Sequence, residues 1–195
     1  MTLEEGLEHI HKRFEDIFSV TPVDAGAPNP FIERGHIVCQ LPRAQLFDFV
    51  SALKSDPCLC LNLLLSVTAV DWMDERDDRF EVVYHLLGLG SMLRVRIKIA
   101  VPEHKPEVAS LVPLFSSANF MEREVWDMYG ISFKGHPDLR RILMYEEFKG
   151  HPLRKDYPVQ GKQPRVALRY PEVENTAREM VRGELVAIRS RKKVS

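Results

Sequence analysis

FEVVYHLLGLGSMLRVRIKIA, Phe80 to Ala100, holds two strand-length runs on either side of a Gly-Leu-Gly-Ser return. In the second run Leu93, Val95, Ile97 and Ile99 alternate with Arg94, Arg96 and Lys98, the period of a half-buried strand with one basic face. In the first run Phe80, Val82, Tyr84 and Leu86 alternate, while Val83 and Leu87 make the other face apolar as well. Gly88 to Ser91 is short enough for a tight return, so the two runs read as antiparallel neighbours.

Upstream, Cys60 to Val70 is a nearly continuous apolar run, which predicts a strand covered on both faces. The joining loop DWMDERDD, Asp71 to Asp78, has five acids and one base and reads as a solvated hairpin loop. It lacks the glycine and the terminal Glu spacing of a calcium-binding loop, and Trp72 is the feature that solvation does not explain. Nearer the amino terminus, Thr2 and Glu5 are spaced as a capping box before a helix with Leu3, Leu7, Ile10, Phe14 and Ile17 on one stripe, ending near Ser19. After the loop TPVDAGAPNP, two short strands are expected at Phe31 to Glu33 and His36 to Leu41 around Arg34-Gly35. A helix follows Pro42, with Leu46, Phe49, Val50 and Leu53 inward, and Asp56-Pro57 ends it.

Downstream, Pro106 is read as opening a helix with Val108, Leu111, Val112 and Phe115 inward. Asn119 is read as the cap of a further helix, with Glu122 at the reciprocal position and Gly130 as a left-handed stop. The predicted order is α-β-β-α-β-β-β-α-α, an α/β fold of the layered α+β sandwich kind with a mostly antiparallel sheet over residues 1–130. Residues 131–195 are expected to form a long irregular carboxyl-terminal extension that docks along a partner or back over the first domain.

The chain has 195 residues and 22.5 kDa, enough for one good core, and its formal charge of -1 gives no reason to expect a nucleic-acid binder. Cys39, Cys58 and Cys60 form no metal or disulfide framework; they are read as buried thiols of a protein from a reducing compartment. The first residues carry acids where a secretory leader has bases, and the longest apolar run is too short to cross a bilayer, so any membrane association is expected to be indirect.

The extension is divided by Pro137, Pro152, Pro158, Pro164 and Pro171 into pieces too short to build a second core. Yet Phe133, Leu139, Ile142, Leu143, Met144, Phe148 and Leu153 are too many apolar groups for a solvated tail. Nine Lys or Arg interleave with seven Asp or Glu between Glu122 and Arg165, which suits a segment lying along a surface through ion pairs. An internal echo, GHPDLR from Gly135 and GHPLRKD from Gly150, places His136 and His151 before prolines that restrict their backbones. These histidines are read as turn or interface residues; metal binding with Asp138 and Asp156 is the alternative, against which the spacing lacks an HExxH or facial-triad pattern. Glu122, Glu124 and Asp127 read as capping and ion-pairing acids rather than general acid/base groups, and there is no G-x-S-x-G or phosphate loop. Ala167 to Tyr170 suits a short extended piece before a basic tail.

Three runs carry a family resemblance: EREVWDMYGI (Glu122 to Ile131), FKGHPDLRRIL (Phe133 to Leu143) and FKGHPLRKDYP (Phe148 to Pro158). Together they resemble the 30-kDa-type subunit of respiratory complex I, the family that bacterial NADH-quinone oxidoreductases carry as their C-type subunit. The resemblance implies a non-catalytic peripheral-arm subunit that binds no cofactor of its own, with FMN, iron-sulfur clusters and quinone held by siblings. It also implies docking on the large hydrogenase-like quinone-site subunit and neighbouring iron-sulfur subunits, and a place on the cytoplasmic side of the bacterial inner membrane. The motif residues expected to support the partner interface are Glu122, Arg123, Glu124, Asp127, His136, Asp138, Arg140, Arg141, Phe148, His151, Arg154, Lys155, Asp156 and Tyr157. The alternatives are the equivalent subunit of an ion-pumping hydrogenase or plastoquinone-linked complex, or a stand-alone metal-dependent enzyme using His136 and His151.

Overall fold

The computed structural model describes residues 2–20, 30–160 and 163–164. Strands β1 (Phe31–Glu33), β2 (His36–Leu41), β3 (Leu63–Asp71), β4 (Phe80–Leu87) and β5 (Arg94–Val101) form one sheet in the order β1-β2-β5-β4-β3. All neighbours are antiparallel except β2 and β5, which run parallel at the centre. Helices α1 (Leu3–Arg13), α2 (Glu15–Val20), α3 (Leu46–Ser55) and α4 (Ala118–Tyr129) lie among these strands in sequence, with a 3-10 turn at Arg43–Gln45 before α3. A second, two-stranded parallel sheet joins β6 (Glu107–Ala109) to β7 (Ser132–Lys134).

The β4–β5 hairpin forms as its alternation predicts. Tyr84 opposes Ile97 and Leu86 opposes Val95, and these inward side chains are fully buried. Gly88 is required by space: a β-carbon there would lie 2.5 Å from the Leu59 carbonyl, which also accepts from Ser91 Oγ at 2.9 Å. One core unites the inner face of the sheet with Ile10, Phe49, Leu53 and Val125 from the helices. The other face carries the basic row of β5 and is tied by polar contacts: Ser66 Oγ to His85 Nδ1 (2.9 Å), Arg96 Nε to His85 Nε2 (3.0 Å) and Arg96 to Glu33 (3.2 Å).

At the amino terminus the capping box is present: Thr2 N–H donates to Glu5 and Glu5 N–H to Thr2 Oγ1. The predicted single helix is broken at Phe14, which leaves helical geometry and separates α1 from α2.

Three expectations are corrected. β3 begins at Leu63 and is an edge strand with one open face, where Leu65 is 41% exposed; Leu59 and Leu61 are buried from the loop before it. The run of three leucines reflects a register shift between Leu64 and Ser66, an extra residue that breaks the alternation. The segment after Pro106 is not a helix but β6 followed by a turn closed by Phe115 N–H to the Leu111 carbonyl at 2.8 Å. Val108, Leu111 and Phe115 are nevertheless buried, and prolines at 106 and 113 leave too short a run to nucleate a helix. Cys39 is buried, but Cys58 and Cys60 are exposed. Ala167 to Tyr170 and the basic tail lie outside the described residues.

Phe49 is 1% exposed and holds the ring of Phe14 at 4.6 Å and of Phe18 at 5.9 Å between centroids, joining α3 to α2 and to the break that precedes it. Phe49→Ala is expected to lower unfolding free energy by about 3–5 kcal/mol, read from the midpoint of urea denaturation at unchanged slope.

Candidate functional site

Helix α4 buries an unusual share of charge for its length. Its apolar side faces β3, while Glu122, Arg123 and Asp127 are buried as well. Gly130 closes it at φ 74°, the left-handed stop expected from the sequence. The cap at its start differs from expectation: the helix begins after Ser117, not after Asn119, so the unpaired amides of the first turn are out of reach of Glu122. Glu122 instead accepts from Ser110 Oγ at 2.6 Å and Leu111 N–H at 2.7 Å.

Asp127 organises the start of the extension. One carboxylate oxygen accepts the amides of Ile142 (3.1 Å), Leu143 (2.9 Å) and Met144 (2.8 Å), and the other pairs with Arg141. Arg141 also donates to the Phe148 and Gly150 carbonyls at 2.8 and 3.1 Å, with Trp126 and Phe148 rings beside its guanidinium. Arg123 donates to the carbonyls of Arg140 and Arg141, each at 3.1 Å. Burial opposes ionisation of Asp127, but the Met144 amide, Arg141 and the next two amides outweigh it and hold the carboxyl below its ordinary range.

The second Gly-His-Pro turn caps the other end of the helix. The last carbonyls of α4 lack intrahelical partners, and they are met by His151 Nδ1 on Asp127 O (3.0 Å), Leu153 N–H on Met128 O (3.1 Å) and Arg154 Nε on Tyr129 O. A cation there also complements the helix dipole. Gly130 is needed for space too, because a β-carbon would lie 2.5 Å from Arg154 and 2.6 Å from His151.

A further clasp sits where β3 ends. Arg79, nearly buried, holds Asp71 with two nitrogens (3.0 and 2.9 Å) and reaches Asp156 at 2.8 Å and Glu103. Lys155 adds its amide to Asp71 at 2.8 Å and its ammonium to Glu75 at 2.7 Å. The acidic loop therefore receives Lys155 through Asp71 and Glu75 and is not merely a solvated turn. Trp72 is accounted for by Arg76, whose guanidinium lies 4.3 Å from its ring.

The structure thus gathers Arg123, Asp127, Arg141, Phe148, His151, Arg154, Lys155, Asp156 and Tyr157 around α4 and β3; Phe148 stacks on Tyr157. Glu124 is exposed, and Asp138 pairs with Arg140 on the surface. Both nitrogens of His136 are engaged: Nδ1 accepts from Asp138 N–H and Nε2 donates to Asn119 O, leaving none for a metal. Sequence reasoning missed Arg79, Asp71 and Glu103, since the Arg79 pair with Asp156 spans 77 positions. It also missed a convergence of His9, Asp56 and Cys58, whose donor atoms lie within 4.8 Å of one another. There Asp56 already receives His9 and Arg13 on one oxygen and the Cys58 and Leu59 amides on the other, so its carboxylate is spent as a clasp of α1 to the loop after α3.

The fold is a small α/β domain with a strap fastened across one helix. The family described as "Respiratory-chain NADH dehydrogenase, 30 Kd subunit" matches residues 39–163, and the chain belongs to that family. Over 128 residues it is 44% identical to the C-type subunit of NADH-quinone oxidoreductase from Geobacter metallireducens, covering 66% of this chain and 78% of that one. It is 45% identical over 138 residues to the corresponding subunit from Paramagnetospirillum magneticum, covering 71% and 67%. Among solved structures it is similar to a trypsin-resistant fragment of Nqo5, with TM-score 0.55, 34% identity, and coverage of 71% of this chain and 100% of that one. An archaeal membrane-bound sulfane sulfur reductase shares the fold at TM-score 0.61 and 22% identity, over 80% of this chain and 86% of that one.

Asp127→Ala leaves Arg141 and three amides without their acceptor and is expected to cost about 3–5 kcal/mol at neutral pH. The sign with pH follows from the lowered carboxyl: its contribution is complete above the unfolded value near 4 and disappears as pH falls through the folded value. Urea unfolding at pH 7 and pH 2.5 should show a wild-type advantage over the variant that is large at the first and small at the second.

Proposed function

We propose that this chain is a structural subunit of the peripheral arm of a proton-translocating NADH-quinone oxidoreductase. It positions neighbours while they pass electrons from NADH through FMN and iron-sulfur clusters to quinone. Membership of the 30-kDa subunit family supports this, and the matched residues 39–163 include both clasps. In this reading residues 1–130 are the domain and the segment from 131 onward is the docking element.

The observation that carries the docking role is the direction of the chain over Asp127. Because the amides of Ile142, Leu143 and Met144 are turned inward to the carboxylate, the side chains of Ile142 and Leu143 are turned out. Ile142, Leu143 (56% exposed) and the neighbouring Tyr145 make a short apolar ridge held in place before any partner arrives. Its partner is the large hydrogenase-like subunit that shapes the quinone cavity, with iron-sulfur subunits beside it. No described helix is long and apolar enough to cross a membrane. Attachment to the cytoplasmic side of the bacterial inner membrane therefore runs through the complex. The names borne by the relatives favour an NADH-linked complex over the hydrogenase and plastoquinone-linked alternatives.

Leu143→Asp is expected to leave the chain folded, within about 0.5 kcal/mol of wild type. It should cut the amount of intact complex by roughly tenfold, the size of effect expected from one central interface anchor. Native gels of membranes carrying the variant, with activity measured per assembled complex, separate the cases: normal assembly with lost turnover would contradict the scaffold reading.

A further inference from the structure

Glu122 is the buried acid of α4 that the extension does not use. Its side chain is fully buried on the side of Ser110 and Leu111, which supply its two hydrogen bonds. The Ser110 hydroxyl also accepts from Val112 N–H, which leaves its proton for Glu122. From β4 it is faced by Tyr84, also fully buried, whose hydroxyl has no hydrogen-bond partner among the described residues.

Among the described residues, the charged groups packed around this pair are engaged elsewhere. Arg123, the neighbour on α4, is turned to the carbonyls of Arg140 and Arg141, and Asp127 is one turn further along and spent on the extension. From α3, Lys54 donates to the Leu114 carbonyl and lies over the Phe115 ring. β3 contributes Leu64, Val67 and Ala69 to the core here and β7 contributes Phe133, while the charges at the far end of β3 belong to the Arg79 clasp. A carboxylate so placed is opposed by desolvation and supported only by two donors; burial pushes its carboxyl up to about 7 despite them.

We propose that Glu122 is a proton-binding site built into the seat of α4, and that losing its proton loosens the helix on the sheet and with it the strap that Arg123 and Asp127 fasten. With the proton on, Glu122 is a neutral group that still accepts a hydrogen bond from the Leu111 amide. With the proton off, a charge is held between the sheet and α4 beside the unpartnered Tyr84 hydroxyl. The sign is fixed by linkage: this acid is raised above its unfolded value, so the folded chain binds the proton more tightly. Its contribution to stability is present below the unfolded value and is lost as pH rises through the folded one. His85 and His151 are both lowered, chiefly by burial, and oppose this trend by stabilising the fold as pH rises. Wild type must therefore be compared with a variant that changes Glu122 alone.

The test uses the full chain. Urea unfolding from pH 4.5 to 8.5 is measured for wild type and Glu122→Gln, together with carbon-13 titration of the glutamate carboxyls in wild type. The folding constant of wild type relative to the variant is expected to fall roughly tenfold per pH unit between about pH 5 and 7 and to level off above. Hydrogen exchange of the α4 amides in wild type should speed up over the same interval. Ser110→Ala, which removes a donor to the charged form, should move the carboxyl titration upward. Parallel pH profiles for wild type and Glu122→Gln, or a Glu122 carboxyl that titrates near 4, would overturn the proposal. If Glu122→Gln does not fold, the carboxyl titration decides alone.

Discussion

A buried carboxylate must be matched by donors, and Asp127 is matched almost wholly by the extension: one guanidinium and three consecutive amides from residues 141–144. The constraint runs both ways. Without the extension Asp127 would be an unpaired buried charge, and without Asp127 the chain from Arg140 to Met144 would have nothing to turn its backbone inward. The apolar exposure of Ile142 and Leu143 is thus a consequence of polar satisfaction beneath them.

The carbonyl end of α4 extends the same logic. His151, Leu153 and Arg154 meet the last helix carbonyls, and Arg79 then ties Asp156 to Asp71 at the end of β3. Helix and sheet each hold one point of the strap, so its path is set by two rigid elements. The two acids of α4 differ in what faces them. Asp127 meets Arg141 and four donors in all, and remains charged; Glu122 meets two neutral donors in the core, and holds its proton up to about neutral pH. Their positions five residues apart on one helix place them under different surroundings.

Much of this was legible where the signal is local. Alternation around Gly88 specified the β4–β5 hairpin, Thr2 and Glu5 specified the first cap, and Gly130 specified the end of α4. Of the motif residues from Glu122 to Tyr157, Arg123, Asp127, Arg141, His151, Arg154 and Asp156 meet around α4 and the end of β3, whereas Glu124, Asp138 and Arg140 stay on the surface. What was not legible depended on contacts distant in sequence. Val108, Leu111 and Phe115 fit a helical stripe, but pairing with Ser132 to Lys134 made their segment a strand and a turn. Glu122 fit a capping box, yet a helix start two residues earlier took it away from the free amides and into the core. The apolar run before Asp71 hid an edge strand because an extra residue disguised its period. Arg79 carried no local signal, because its partner Asp156 lies far along the chain.

The central claim is that the ridge over Asp127 is a preformed docking surface. Hydroxyl-radical footprinting of the free chain and of the same chain in the intact complex tests it most directly. The account predicts strong labelling of Ile142, Leu143 and Tyr145 in the free chain and loss of that labelling in the complex, with the α4 core side protected in both. Equal labelling of the ridge in the two states would contradict it.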